Sequence, residues 1–159
     1  QKHADPFIED GVDTLAASEV SGIVGVVLAP HYSGFSVGQY QQRVADTAAD
    51  HDVPTAAIDR WHDLEAYREF LTAAVSERLA DLPERTEVIF TAHSLPERVL
   101  AGDPYPDELA STAEAVADRV GLPRRTPHDG PDHRPGPRWS IAWQSAGATP
   151  EPWRGPDIL

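Results

Sequence analysis

Histidine, serine and tyrosine side chains stand where apolar runs of this chain end, and they set the chemistry it could do. His93 closes the run Thr86-Glu87-Val88-Ile89-Phe90-Thr91-Ala92, and Pro96 follows shortly after. A histidine ending a buried strand has a fixed position and a partly desolvated ring. Burial favours neutral imidazole, the form that ligates a divalent metal or accepts a proton near neutral pH. The bland alternative is a ring satisfied by nearby backbone carbonyls. Ser94 invites a nucleophilic role, but no Gly-x-Ser-x-Gly elbow surrounds it. Tyr40 shares a helical stripe with Val37 and Val44, so it either packs or presents a phenol to a ligand. His51, His62, His128 and His133 lie in polar surroundings and read as solvent histidines.

The elements that must position these groups alternate between strand and helix. Ile23-Val24-Gly25-Val26-Val27-Leu28 is a continuous apolar run, as expected of a strand buried on both faces. Ser36 with Gln39 forms a capping-box pattern, and Val37, Tyr40, Val44 and Ala48 follow at helical spacing. Pro54 to Ile58 is a short strand candidate, and Leu64, Tyr67, Leu71, Ala74, Val75 and Leu79 form a clear helical stripe. Pro106 suits the first turn of a helix with Leu109, Ala113, Val116 and Val120 on its apolar face, stopped by Gly121. Trp139 to Trp143 is the last strand candidate. The stretch Pro123 to Arg138 holds five prolines, two glycines and two histidines, a surface excursion by composition. This order predicts an α/β fold of parallel sheets flanked by helices. Ligands of such sheets bind beyond the carboxyl ends of the strands. The segments after Leu28, Phe90 and Ile141 are therefore the ones to inspect.

Composition narrows the classes. Thirteen Lys and Arg stand against 26 Asp and Glu, a net charge of −13, which argues against a nucleic-acid groove or a polybasic membrane patch. With no cysteine, disulfides, thiolate metal sites and a cysteine nucleophile are excluded within these residues. No run approaches the roughly 18 apolar residues of a membrane helix. The acidic opening, with Asp5, Glu9, Asp10 and Asp13, is unlike a signal peptide, and a cytoplasmic location is the simplest expectation. A start at Gln1 with no methionine anywhere suggests a processed chain or an internal piece of a longer one.

Several motifs in one order carry a family resemblance. Thr91-Ala92-His93-Ser94-Leu95-Pro96 followed by Gly102-Asp103-Pro104-Tyr105-Pro106-Asp107 resembles the signature of ferrochelatases, which insert Fe²⁺ into a porphyrin. The likeness continues in Trp143-Gln144-Ser145-Ala146-Gly147, in Thr149-Pro150-Glu151-Pro152-Trp153, and in Gly155-Pro156-Asp157. Upstream it includes Lys2-His3, Pro6-Phe7-Ile8-Glu9-Asp10, and Ala29-Pro30-His31-Tyr32-Ser33 with Ser36-Val37 and Tyr40. The pattern from Pro30 to Tyr40 is closer to the bacterial enzymes acting on coproporphyrin III than to the membrane-associated protoporphyrin type.

The resemblance implies a chelatase-like fold of two Rossmann-like halves around a cleft, of which this chain covers the central part. Residues 1–60 would end the first half, and residues 61–159, with the Pro-rich loop 123–138, would begin the second. It implies a lyase of haem biosynthesis that takes coproporphyrin III and Fe²⁺ as substrates and has no prosthetic group. It further implies a monomer at full length, with no nucleic-acid partner and no integral membrane segment. His93 matches the family's iron ligand and candidate acceptor of pyrrole protons, and Tyr40 matches a tyrosine that contacts the porphyrin. His3 and His31 fall inside matched motifs, where helix or loop hydrogen bonding is the expectation. Trp143 and Trp153 are candidates to line the cleft. The glutamate that works opposite the histidine, and the family's opening segment, have no counterpart here. Two departures stand out: the Pro-rich stretch is long, and no cysteine is present for the iron–sulfur cluster that some relatives carry. The competing readings are a chelatase for another metal and tetrapyrrole, and a non-catalytic tetrapyrrole- or metal-binding module.

Overall fold

The computed structural model describes residues 4–93, 95–124 and 136–142, which divide into two compact units. The first comprises the chain up to His62 together with Asp103–Tyr105, and the second takes in Asp63–Gly102 and the chain from Pro106 onward.

In the first unit, α1 (Ile8–Ala16) precedes β1 (Ile23–Val26), α2 (Gln39–Ala49) and β2 (Thr55–Ile58). Helix α1 starts where Asp10 turns its carboxylate back to accept the Phe7 N–H at 2.8 Å, with Glu9 and Asp10 favourably placed in the first turn. β1 and β2 pair in parallel, Ile23 opposite Thr55 and Val26 opposite Ile58. Val12, Ile23 and Ala48 form the buried core, with Ile8, Val20, Val44 and Val53 packed against it.

Two expectations need correcting here. β1 is not buried on both faces: Val24 is 62% exposed and Val26 52%, because α1 and α2 cover one face and the other lies open among the described residues. Nor does Ser36 cap a helix. It lies inside a single π-type turn, Gly34–Gly38, and α2 begins only at Gln39. That turn is tightened by the Ser33 carbonyl, which accepts from both Ser36 N–H at 3.1 Å and Gly38 N–H at 3.0 Å.

The second unit holds α3 (Glu65–Ala80), β3 (Glu87–Thr91), α4 (Glu97–Leu100), α5 (Tyr105–Val120) and β4 (Arg138–Ala142). β3 and β4 pair in parallel, Glu87 opposite Arg138 and Thr91 opposite Ala142. The sequence stripes of α3 and α5 are the ones that pack. Ala113, Ala117, Leu122 and Trp139 are buried together, and Val75, Leu79, Val88, Phe90, Val120 and Ile141 close around them. α5 stops as expected at Gly121, whose φ of +77° suits a residue without Cβ, while Leu122 N–H returns to the Ala117 carbonyl at 2.9 Å. The molecule is thus α/β with parallel strand pairs and helices against them. No helix among the described residues is long and apolar enough to cross a membrane.

Candidate functional site

In the first unit the chemistry gathers where β1 ends. The ladder's last contact is Val27 N–H to the Ile58 carbonyl at 3.3 Å, after which the chain runs through Leu28-Ala29-Pro30 into His31-Tyr32-Ser33. Asp103 reaches this loop with its carboxylate, accepting the Gly34 N–H at 2.8 Å and the Tyr105 N–H at 2.9 Å. Gly38 is where α2 comes closest to the loop. A Cβ there would lie 2.9 Å from the Tyr32 hydroxyl, so only glycine lets helix and ring approach this far.

Tyr40 sits in the first turn of α2, half-buried. It lines a cleft of about 270 Å³ with Ile8, Val26, Val27, Leu28 and Val44. Leu28 is 88% exposed. Gln41, next along the helix, donates its side-chain amide to the Gly25 carbonyl at 2.9 Å and to the Ile58 carbonyl at 3.3 Å, tying α2 to both strands. The arrangement suits an apolar plate with polar margins: a greasy wall from β1, a phenol from α2, and a floor fixed by hydrogen bonds.

His62 differs from the solvent histidine expected. It is half-buried, and its ring stacks on His31 with centroids 5.6 Å apart and planes at 27°. Tyr105 meets His31 edge-on at 6.4 Å. Burial, with the facing His62 adding to it, pushes His31 down from the usual 6.5 to about 4. Burial also raises the Tyr105 hydroxyl, so the His31 and Tyr105 rings are neutral at pH 7. Arg60 and Trp61 join them: the Arg60 guanidinium lies 4.8 Å over the Tyr32 ring, and Trp61 bonds to the loop twice. Sequence reasoning gave Arg60 and Trp61 no part in a site and read His62 as a solvent histidine. They stand just beyond the carboxyl end of β2, so the strand-end rule that selects His93 selects them as well. His51 pairs with Asp13 at 2.7 Å on the exposed surface, well removed in character from these rings.

In the second unit His93 follows β3 directly after Thr91 and Ala92, at the carboxyl end as expected. The partial burial expected of its ring is absent; His93 is exposed, because β3 has one strand partner and the chain has already left the sheet. Leu95, 6% exposed, anchors the turn that follows, and Pro96 precedes α4. Tyr40 and His93 belong to different units, and each is described within its own. Among the described residues no group of three or more His, Asp or Glu side chains converges to hold a metal ion. His3, Ser94, His128, His133, Trp143, Trp153 and the motifs around the two tryptophans lie outside the described residues.

Comparison with the sequences of known proteins matches the chain to one family. The ferrochelatase family model matches residues 1–159. The chain is 40% identical over 163 residues to the coproporphyrin III ferrochelatase of Geobacillus kaustophilus (strain HTA426), covering 99% of this chain and 47% of that protein. It is 38% identical over 165 residues to the ferrochelatase of Herpetosiphon aurantiacus, covering 99% and 50%. A coproporphyrin III ferrochelatase of Geobacillus sp. (strain WCH70) is 37% identical, covering 99% and 48%. The chain therefore spans about half the length of the curated relatives it matches. With the family match running over residues 1–159, the chain belongs to the ferrochelatase family.

Proposed function

We propose that the polypeptide containing these residues is a lyase that inserts Fe²⁺ into coproporphyrin III in haem biosynthesis. In the overall change the iron enters as substrate, two pyrrole protons leave, and the ring nitrogens become the metal's ligands. His93 ligates the incoming iron and, as the metal passes to the ring nitrogens, its freed nitrogen takes one pyrrole proton while the other goes to water; imidazole nitrogen suits a divalent metal of intermediate softness. Tyr40 contacts the macrocycle, whose apolar face lies on the wall made by Val26, Val27 and Leu28. The observation that carries the reading is Tyr40 on an apolar cleft at the end of β1, in a chain whose relatives include enzymes named for coproporphyrin III.

The substrate assignment is tested on the full-length gene product under anaerobic conditions. Coproporphyrin III and protoporphyrin IX are each supplied with Fe²⁺, and loss of the free-base absorbance is followed. The expected outcome is faster metallation of coproporphyrin III. Preference for protoporphyrin IX would overturn the substrate, and binding of either ring without metallation would favour a tetrapyrrole-binding module.

A further inference from the structure

Trp61 stands three residues beyond β2, and its only local neighbours in sequence are charged or polar. Its backbone N–H donates to the Pro30 carbonyl at 2.9 Å. Its indole Nε1–H donates to the Val27 carbonyl at 3.0 Å. These two bonds take over where the β1–β2 ladder runs out, since the last bond along it is Val27 N–H to Ile58. The flanking residues grip the same loop: Arg60 lies over Tyr32 and His62 stacks on His31. Three consecutive residues thus engage the chain from Val27 to Tyr32.

What they hold is the wall of the Tyr40 cleft. Val26, Val27 and Leu28 line that cleft; Val27 is half-buried, yet Leu28 is 88% exposed and Val26 52%, so packing against their own unit does little to fix these two. An apolar wall with little packing of its own keeps its place only through the backbone bonds made to it. A rigid planar ligand gains affinity from a wall already in position, because no ordering cost remains at binding.

We infer that Trp61 is a positioning residue for the tetrapyrrole: through the Val27 carbonyl it holds the Val27–Leu28 wall in register with Tyr40. The inference rests on the proposed function, since it takes the Tyr40 cleft as the ring's site. Trp61→Phe keeps the ring and removes the indole N–H. The loss of one neutral hydrogen bond corresponds to about a five-fold change in an equilibrium constant.

In the full-length protein Trp61→Phe should raise the KM for coproporphyrin III about five-fold. Its kcat, and its KM for Fe²⁺, should remain those of the wild type. A titration of coproporphyrin III by fluorescence, without metal, should show the same loss of affinity. His62→Ala, which removes the stack on His31 and leaves the indole bond in place, should shift affinity in the same direction by less. Unchanged coproporphyrin III affinity in a folded Trp61→Phe protein would overturn the inference, as would a fall in kcat alone alongside a lower melting temperature. Should Trp61→Phe fail to fold, unchanged coproporphyrin III affinity in Leu28→Ala would overturn it, since the wall that Trp61 holds would then not bear on the ring. A wild type that binds the ring without metallating it would refute the proposed activity and leave the binding comparison decisive. A wild type that does not bind it would refute both.

Discussion

The His31 imidazole is neutral down to a pH of about 4, since burial and the facing His62 ring both oppose its protonation. The unfolded chain protonates the same ring near 6.5, so below that value the unfolded state binds the proton more readily than the folded one. The stability contributed by neutral His31 is therefore fully present above about pH 6.5 and lost as pH falls towards 4. Glu9 and Glu65 are held below the usual carboxylate value by Arg43 and Arg119, and they lose stabilisation only at lower pH, as their carboxylates protonate. The interval between about pH 6.5 and 5 thus isolates the histidine. Melting temperatures of wild type and His31→Gln measured across that interval should show a steeper fall in the wild type; parallel curves would contradict this account of the ring pair. The strand-end placement of His93 and the position of Tyr40 were legible in the sequence, because each sits beside an apolar run that announces itself. The His31–His62 stack was not, since its partners are separated along the chain.

Elements with a repeating apolar stripe were readable because the stripe is local. α3 and α5 lie where their periodicity puts them, and the buried face of α5 is the expected one, Ala113 and Val116 included. β1 is different. Ile23 to Leu28 is apolar throughout, but what covers each face depends on elements far along the chain, and Val24 and Val26 remain open. The start of α2 escaped for another reason: Gly34 and Gly38 let the backbone coil once more loosely before the helix, with Asp103 holding the first N–H. The second unit's core is centred on Trp139, 3% exposed, with Phe90 edge-on at 5.7 Å and the Arg124 guanidinium 5.2 Å above the ring. Trp139→Ala should cost about 3–5 kcal/mol, as large-to-small changes at buried aromatics do. Equilibrium urea unfolding measures this, and a loss below about 1 kcal/mol would mean that Trp139 does not centre the core.

At the scale of the molecule, two compact α/β units carry the family's motifs at the carboxyl ends of parallel strands: Tyr40's cleft in one, His93 in the other. The family was legible in the sequence because its motifs are short and strung in order, and the match extends over residues 1–159. Arg43, on the helix that carries Tyr40, is engaged with Glu9 at 2.5 Å. The central claim is that His93 carries the metal and proton chemistry. Its most direct test compares the full-length wild type with His93→Ala, anaerobically, with coproporphyrin III and Fe²⁺ and with metallation followed by absorbance. The account predicts a loss of about 100-fold or more in turnover while the variant still binds coproporphyrin III. Unimpaired turnover by His93→Ala would contradict it.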